Sequence, residues 1–161
     1  MFLTTILNGN LATSALVAYI HYLGIILCFG SLLFERLTLK VDLNRNETIS
    51  MIIADVIYGI AGVAILVTGI LRVKYFGQGG EFYTSNPIFW VKVALYVLVG
   101  LLSLYPTITY ILWAIPLSKN KLPEISKNLV KRFRIIITTE LIGFATIPFF
   151  ATLMARGIGN T

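Results

Sequence analysis

His21 is the only histidine in the chain and Cys28 the only cysteine. Both stand in the apolar run "IHYLGIILCFGSLLFER", residues 20–36, which closes on the charged pair Glu35 and Arg36. Ser14, His21, Cys28 and Glu35 recur every seven residues. Positions so spaced drift only about 20° per heptad on a helix, so they form one stripe that should face a helical interior. A neutral imidazole on that stripe can ligate a metal or bond a hydroxyl, with Tyr96 or Ser103 as the expected partner. Disulfide and C-x-x-C chemistry are excluded by the single cysteine. A hydrolase is not expected, because no serine has a histidine and an acid at matching depth.

The acidic residues raise a second possibility. Ionisable groups inside a bilayer cost at least a few kcal/mol each, so they face protein, cavity or ligand. Glu35, Asp55 and Glu140 all fall at or within the same end of apolar runs, where Arg36 and Arg134 also stand and could be shared among them. The expected arrangement is a structural ion-pair cluster, with a proton path as the alternative. At the opposite ends stand Arg72 and Lys92, and Lys92 lies far enough inside to snorkel or to contact a ligand. Lys92, Tyr96, Val99, Ser103, Thr107 and Tyr110 follow three-and-four spacing, so they share one helix face. Pro106 on that helix leaves the carbonyl of Leu102 without its usual partner, and Ser103 or Thr107 should help to satisfy the local backbone. Gly59, Gly62 and Gly69 line one side of another run, giving close helix contact or room for a flat ligand. Gly24, Gly30 and Ser31 should thin the first helix in the same way.

These residues are positioned by elements that belong in lipid. Of 161 residues, 57% are hydrophobic and 12% charged, which is roughly half the usual charged share of a soluble domain. About 20 apolar residues in a helix cross a hydrocarbon core, and residues 11–34, 52–71, 88–115 and 133–155 meet that test. Period-two alternation is absent, so a β-barrel is not expected. The fold class is all-α, a four-helix transmembrane bundle forming a single integral membrane domain over residues 1–161. Asn86-Pro87 should start the third long helix, and "KNKLPEISKNLVKRFR" should be helical from Pro123. Residues 2–34 contain no lysine or arginine, so a cleavable leader is not expected.

The net charge of +6 does not point to nucleic acid, because the cations gather beside the apolar runs. Nine of the 13 Lys and Arg residues lie in or next to the loops around residues 36–45 and 119–134. The other four, Arg72, Lys74, Lys92 and Arg156, fall on the opposite side. The positive-inside rule then places the nine-cation face in the cytoplasm and both termini outside, in a bacterial-type plasma membrane or a thylakoid. Tyr75, Phe76, Phe82, Tyr83, Phe89 and Trp90 make an aromatic belt at the outer boundary.

"TGILRV", "FYTSNPIFWVK" and "SLYPT", with an Asp near the start of the second span, resemble an uncharacterised family of predicted four-helix bacterial membrane proteins (DUF2214-like) across almost the whole chain. More distantly, "YIHYLGIILCFGSLLFERL" and "FWVKVALYVLVGLLSLYPT" resemble helices of HemJ-type protoporphyrinogen oxidases. That resemblance implies haem b, with His21 as the iron ligand and Lys92 contacting an acidic group of the ligand; in the same reading Lys92 or Arg72, near the outer face, would neutralise propionates. The chain departs from the pattern in having no second histidine. A copper-resistance (CopD-like) membrane family is also distantly similar, but one His, one Cys and three Met are too few for a copper site. The preferred reading is a non-enzymatic membrane subunit or assembly factor. The alternatives are a HemJ-like tetrapyrrole-binding redox protein and a small proton-coupled transporter. The expected partners are the lipid bilayer and further copies of the chain or a larger membrane complex.

Overall fold

A computed structural model describes residues 2–159, with side chains from Asn10 onward. The ends of the expected 1–161 unit, Met1, Asn160 and Thr161, lie outside the described residues. The elements in chain order are α1 (Phe2–Thr38), α2 (Arg45–Leu71), a π-helical turn (Arg72–Phe76), α3 (Gly80–Thr84), α4 (Pro87–Ser118) and α5 (Lys127–Ala155). The chain is all-α, and α1, α2, α4 and α5 are the four helices long and apolar enough to cross a membrane. In lipid this is the expected outcome, since every backbone N–H and C=O must be satisfied within the helix itself.

Each helix outruns the apolar window expected from hydropathy, and capping side chains rather than hydrophobicity set the starts of α2, α4 and α5. At the start of α2, the Asn44 side chain accepts from the Glu47 amide at 2.9 Å, and the Glu47 carboxylate accepts from the Asn44 amide at 2.9 Å. This reciprocal capping box begins the helix at Arg45, seven residues before the expected span. Asn86 caps α4 by accepting from the Ile88 amide at 2.9 Å, with Pro87 in the first turn as expected. The start of α5 differs from expectation. Residues 121–126 are not helical, and the Ser126 hydroxyl accepts from the Leu129 amide at 3.1 Å, so the helix begins at Lys127 rather than Pro123. A proline fixes φ but supplies no acceptor for the first amides, whereas a serine does. At its other end α4 closes on Asn120, whose φ of 57° lets the Lys121 amide reach back to the Pro116 carbonyl at 2.9 Å.

Two antiparallel hairpins result. The most extensive helix pairs are α1 with α2 and α4 with α5, while contacts of α1 with α5 and α2 with α4 join the hairpins. Glycines permit the closest approaches. A Cβ at Gly24 would lie 2.8 Å from Ile65 and 3.2 Å from the Ala61 carbonyl, and one at Gly143 would lie 2.5 Å from Val99. Gly30 and Gly59, expected to serve the same purpose, face open space instead. The core runs from Cys28, Met51 and Ile65 to Val99, Phe133 and Ile137. Leu104, Ile108, Ile111 and Ile115 on α4 point outwards and are more than half exposed, as a lipid-facing surface requires. The end of the bundle carrying residues 39–44 and 119–126 is called the loop face below, and the opposite end the terminal face.

Candidate functional site

The heptad stripe on α1 does face inwards: Ser14 and His21 are partly buried, and Cys28 and Glu35 fully. Glu35 lies one turn before the end of α1 and is 2% exposed. Its Oε2 accepts a hydrogen bond from the Tyr110 hydroxyl at 3.0 Å, and its Oε1 has no partner. Asp55, on α2, accepts from the Thr107 hydroxyl at 2.8 Å. Glu140, on α5, is 1% exposed, and its Oε1 also has no partner. The three carboxylates lie within electrostatic reach of one another. Three helices thus supply the acids and α4 supplies the hydroxyls.

The α4 donors are held in place by packing and by helix register. The Tyr110 ring is wedged between Trp113 and Phe133, with centroids 5.2 and 5.5 Å away. Thr109, Thr139 and Thr146 return their hydroxyls to the carbonyl four residues back. Thr107 instead turns its hydroxyl to Asp55. Of the two hydroxyls expected to serve the local backbone, Ser103 does so, donating to the Gly100 carbonyl at 2.8 Å. Tyr110 and Thr107 were legible as members of one polar face, but their acid partners were not.

The expected ion pairs do not form. Arg36 donates to the Thr138 hydroxyl at 3.0 Å, and Arg134 donates to the Leu39 carbonyl at 3.2 Å. Among the described residues the only salt bridge is Lys40–Glu47, at 2.6 Å on the surface. The reason is helix geometry. Neighbouring residues point about 100° apart at 3.6 residues per turn, so Arg36 turns away from the face that buries Glu35. Arg134 is drawn to the carbonyl just beyond the end of α1, where a cation is favoured. Among the described residues, the carboxylate cluster therefore has no ion-paired cation. Nor, among the described residues, are three or more His, Cys, Asp or Glu side chains grouped so as to hold a metal ion.

At the terminal face the histidine is satisfied, though not by Tyr96 or Ser103. Its Nδ1 lies 2.9 Å from the Thr68 hydroxyl, which in turn lies 2.5 Å from the Ala64 carbonyl. Thr68 donates to that carbonyl and so accepts from His21, which assigns the ring proton to Nδ1. Tyr96 instead donates to the Gly62 carbonyl at 2.7 Å. The Arg72 guanidinium stands over the Tyr22 ring at 5.2 Å, and the Lys92 ammonium over Phe89 at 5.8 Å. Cys28 is buried and directs its thiol to the Tyr58 carbonyl at 3.6 Å, a weak and inert placement.

The residues present do not fit a haem. The side of Gly69 that would border a flat ligand meets the His21 ring itself, 3.5 Å from where a Cβ would sit, and Gly62 faces the Tyr96 hydroxyl. The apolar cleft between α1 and α2 measures about 170 Å³ and is lined by Ile20, Leu23, Gly24, Leu27, Ile57, Ile60, Ala61 and Ala64, not by His21. Ligand pockets for drug-sized molecules run from about 300 Å³ upwards.

Residues 13–159 match the family described as Predicted membrane protein (DUF2214). No curated protein and no solved structure matches the chain.

Proposed function

The chain belongs to the DUF2214 family of predicted membrane proteins, and on that premise we propose that it takes up and releases a proton at the buried cluster of Glu35, Asp55 and Glu140. One observation carries this reading: among the described residues, Glu35 Oε1 and Glu140 Oε1 are buried without a hydrogen-bond donor and form no ion pair. An ionised carboxylate taken out of water costs several kcal/mol unless it is paired, so the cluster needs a positive partner from solution. A proton is the partner that fits, because the acids are not grouped as a metal-ligand set. Tyr110 and Thr107 stabilise one oxygen each of Glu35 and Asp55, which leaves Glu35 Oε1 and Glu140 Oε1 as the sites that gain and lose the proton.

Glu35 lies nearest the loop face and would exchange first with water there. The nine-cation count orients that face to the cytoplasm, so the exchange is with the cytoplasmic side. This reading favours the proton-coupled carrier, or a proton-binding subunit of a larger membrane complex, over a haem protein. Infrared difference spectra of the purified chain in lipid nanodiscs, recorded between acid and alkaline buffers, test it. A protonated-carboxyl carbonyl band should change with pH and lose a component in Glu140→Gln. If no such band responds to pH, the cluster does not exchange protons.

A further inference from the structure

The loop face carries a groove that the proton site does not use. It measures about 580 Å³ and lies between residues 41–44, which join α1 to α2, and residues 122–125, which precede α5. That volume is within the range of about 300–1,000 Å³ typical of ligand sites. Five of the eight lining residues are apolar: Val41, Leu43, Leu122, Pro123 and Ile125. Leu122 is 52% exposed, so the groove offers uncovered apolar surface. Both walls are non-helical, and the backbone groups of residues 41–43 and 122–125 make no hydrogen bond among the described residues. Pro123 biases Leu122 towards the extended region, which keeps that wall out of α5. Unpaired main-chain donors and acceptors beside apolar surface are the features by which a protein recognises an extended peptide.

Charge then selects the peptide. The lining holds two acids, Asp42 and Glu124, one on each wall, and no cation. Both are exposed, and neither carboxylate makes a hydrogen bond or ion pair among the described residues. The neighbouring cations are engaged elsewhere, Lys40 with Glu47 and Arg45 with Asn120. Charges more than about 8 Å away are largely screened at physiological ionic strength, so the lining sets the local sign. We propose that this groove docks an extended segment of a protein partner whose side chains alternate between apolar and Lys or Arg. The apolar side chains cover Leu122 and its neighbours, the main chain meets the unpaired backbone groups, and the cations meet Asp42 and Glu124. A bare metal ion would leave the apolar lining in water, and the acids repel an anionic headgroup. The proposal does not depend on the proton reading.

Fluorescence anisotropy of a labelled hexapeptide of alternating lysine and valine, titrated with the full chain in phosphatidylcholine nanodiscs, tests it. A hexapeptide of alternating glutamate and valine and empty nanodiscs are the comparisons. The lysine peptide should bind preferentially, and D42N/E124Q should weaken it about fivefold, the scale of two exposed ion pairs. D42K/E124K should reverse the preference towards the glutamate peptide. Methylating alternate backbone nitrogens of the lysine peptide should weaken it about tenfold through the lost main-chain bonds. E81Q removes an exposed acid at the terminal face and should leave binding unchanged. The proposal is overturned if neither peptide binds, if both bind equally, or if D42N/E124Q binds as wild type does. It is equally overturned if D42K/E124K keeps the original preference, if E81Q causes the same loss as D42N/E124Q, if the methylated peptide binds undiminished, or if spermine binds as tightly as the lysine peptide.

Discussion

Replacing Glu140 by methionine should make the protein more stable, and the sign of that change separates two accounts of the interior acids. Glu140 is 1% exposed, accepts no hydrogen bond among the described residues, and leaves Oε1 without a partner. Leaving a buried polar group unsatisfied costs about 1–3 kcal/mol. Methionine is unbranched and adaptable, so it fills the same slot without the strain that a branched side chain would add. Glu140→Met should therefore stabilise the bundle by about 1–3 kcal/mol. A carboxylate paired with Arg36 or Arg134 would give the opposite result, since breaking a buried pair strands the remaining charge and costs about 3–5 kcal/mol. The two outcomes differ by more than about 4 kcal/mol, well beyond the error of a denaturant extrapolation. Equilibrium unfolding in mixed detergent micelles, followed by circular dichroism, makes the measurement. A loss of stability above about 1 kcal/mol would refute the unpaired-acid account.

Tyr110→Phe keeps the ring between Trp113 and Phe133 but removes the donor to Glu35 Oε2, so it should destabilise by about 1–3 kcal/mol; a change under about 0.5 kcal/mol in the same unfolding assay would show the bond to be incidental. Gly143→Ala would bring a methyl group to 2.5 Å from Val99, so it should cost about 1–3 kcal/mol by overpacking, whereas Gly30→Ala, which meets nothing within 4 Å, should be neutral or slightly stabilising as a helix substitution. Thr68→Val removes the acceptor of the His21 Nδ1 proton and should cost about 1–3 kcal/mol, while Ser103→Ala should leave His21 unaffected by NMR of the ring. A reporter active only outside the cytoplasm should work when fused to the C-terminus; silence there, with activity when it is inserted near Lys119, reverses the orientation.

The helices were legible because lipid leaves the backbone so few choices. Asn86-Pro87 announced α4 through two signals that agree, a cap and a fixed φ. The seven-residue recurrence from Ser14 to Glu35 announced the inward face of α1 for a similar reason, since periodicity is a property of one helix alone. What could not be read depends on how helices sit against each other. Arg36 and Glu35 are adjacent in sequence, yet rotation about the α1 axis sends one to Thr138 and buries the other against Tyr110. The partner of His21 is Thr68 rather than Tyr96 or Ser103 because α1 and α2 are fixed in register by Gly24 resting on Ala61 and Ile65. The start of α5 was misplaced because Pro123 and Ser126 are both helix-start residues, and only the bond to Leu129 decides between them.

The pairing of α1 with α2 and of α4 with α5 has a consequence for how the chain is made. Glu35 and Asp55 belong to the first hairpin, while Thr107, Tyr110 and Glu140 belong to the second. A ribosome delivers the first hairpin to the membrane before the second has been synthesised. During that interval its two acids have neither the Tyr110 nor the Thr107 hydroxyl to bond. The acid site is thus a seam between the two hairpins, complete only once both have docked.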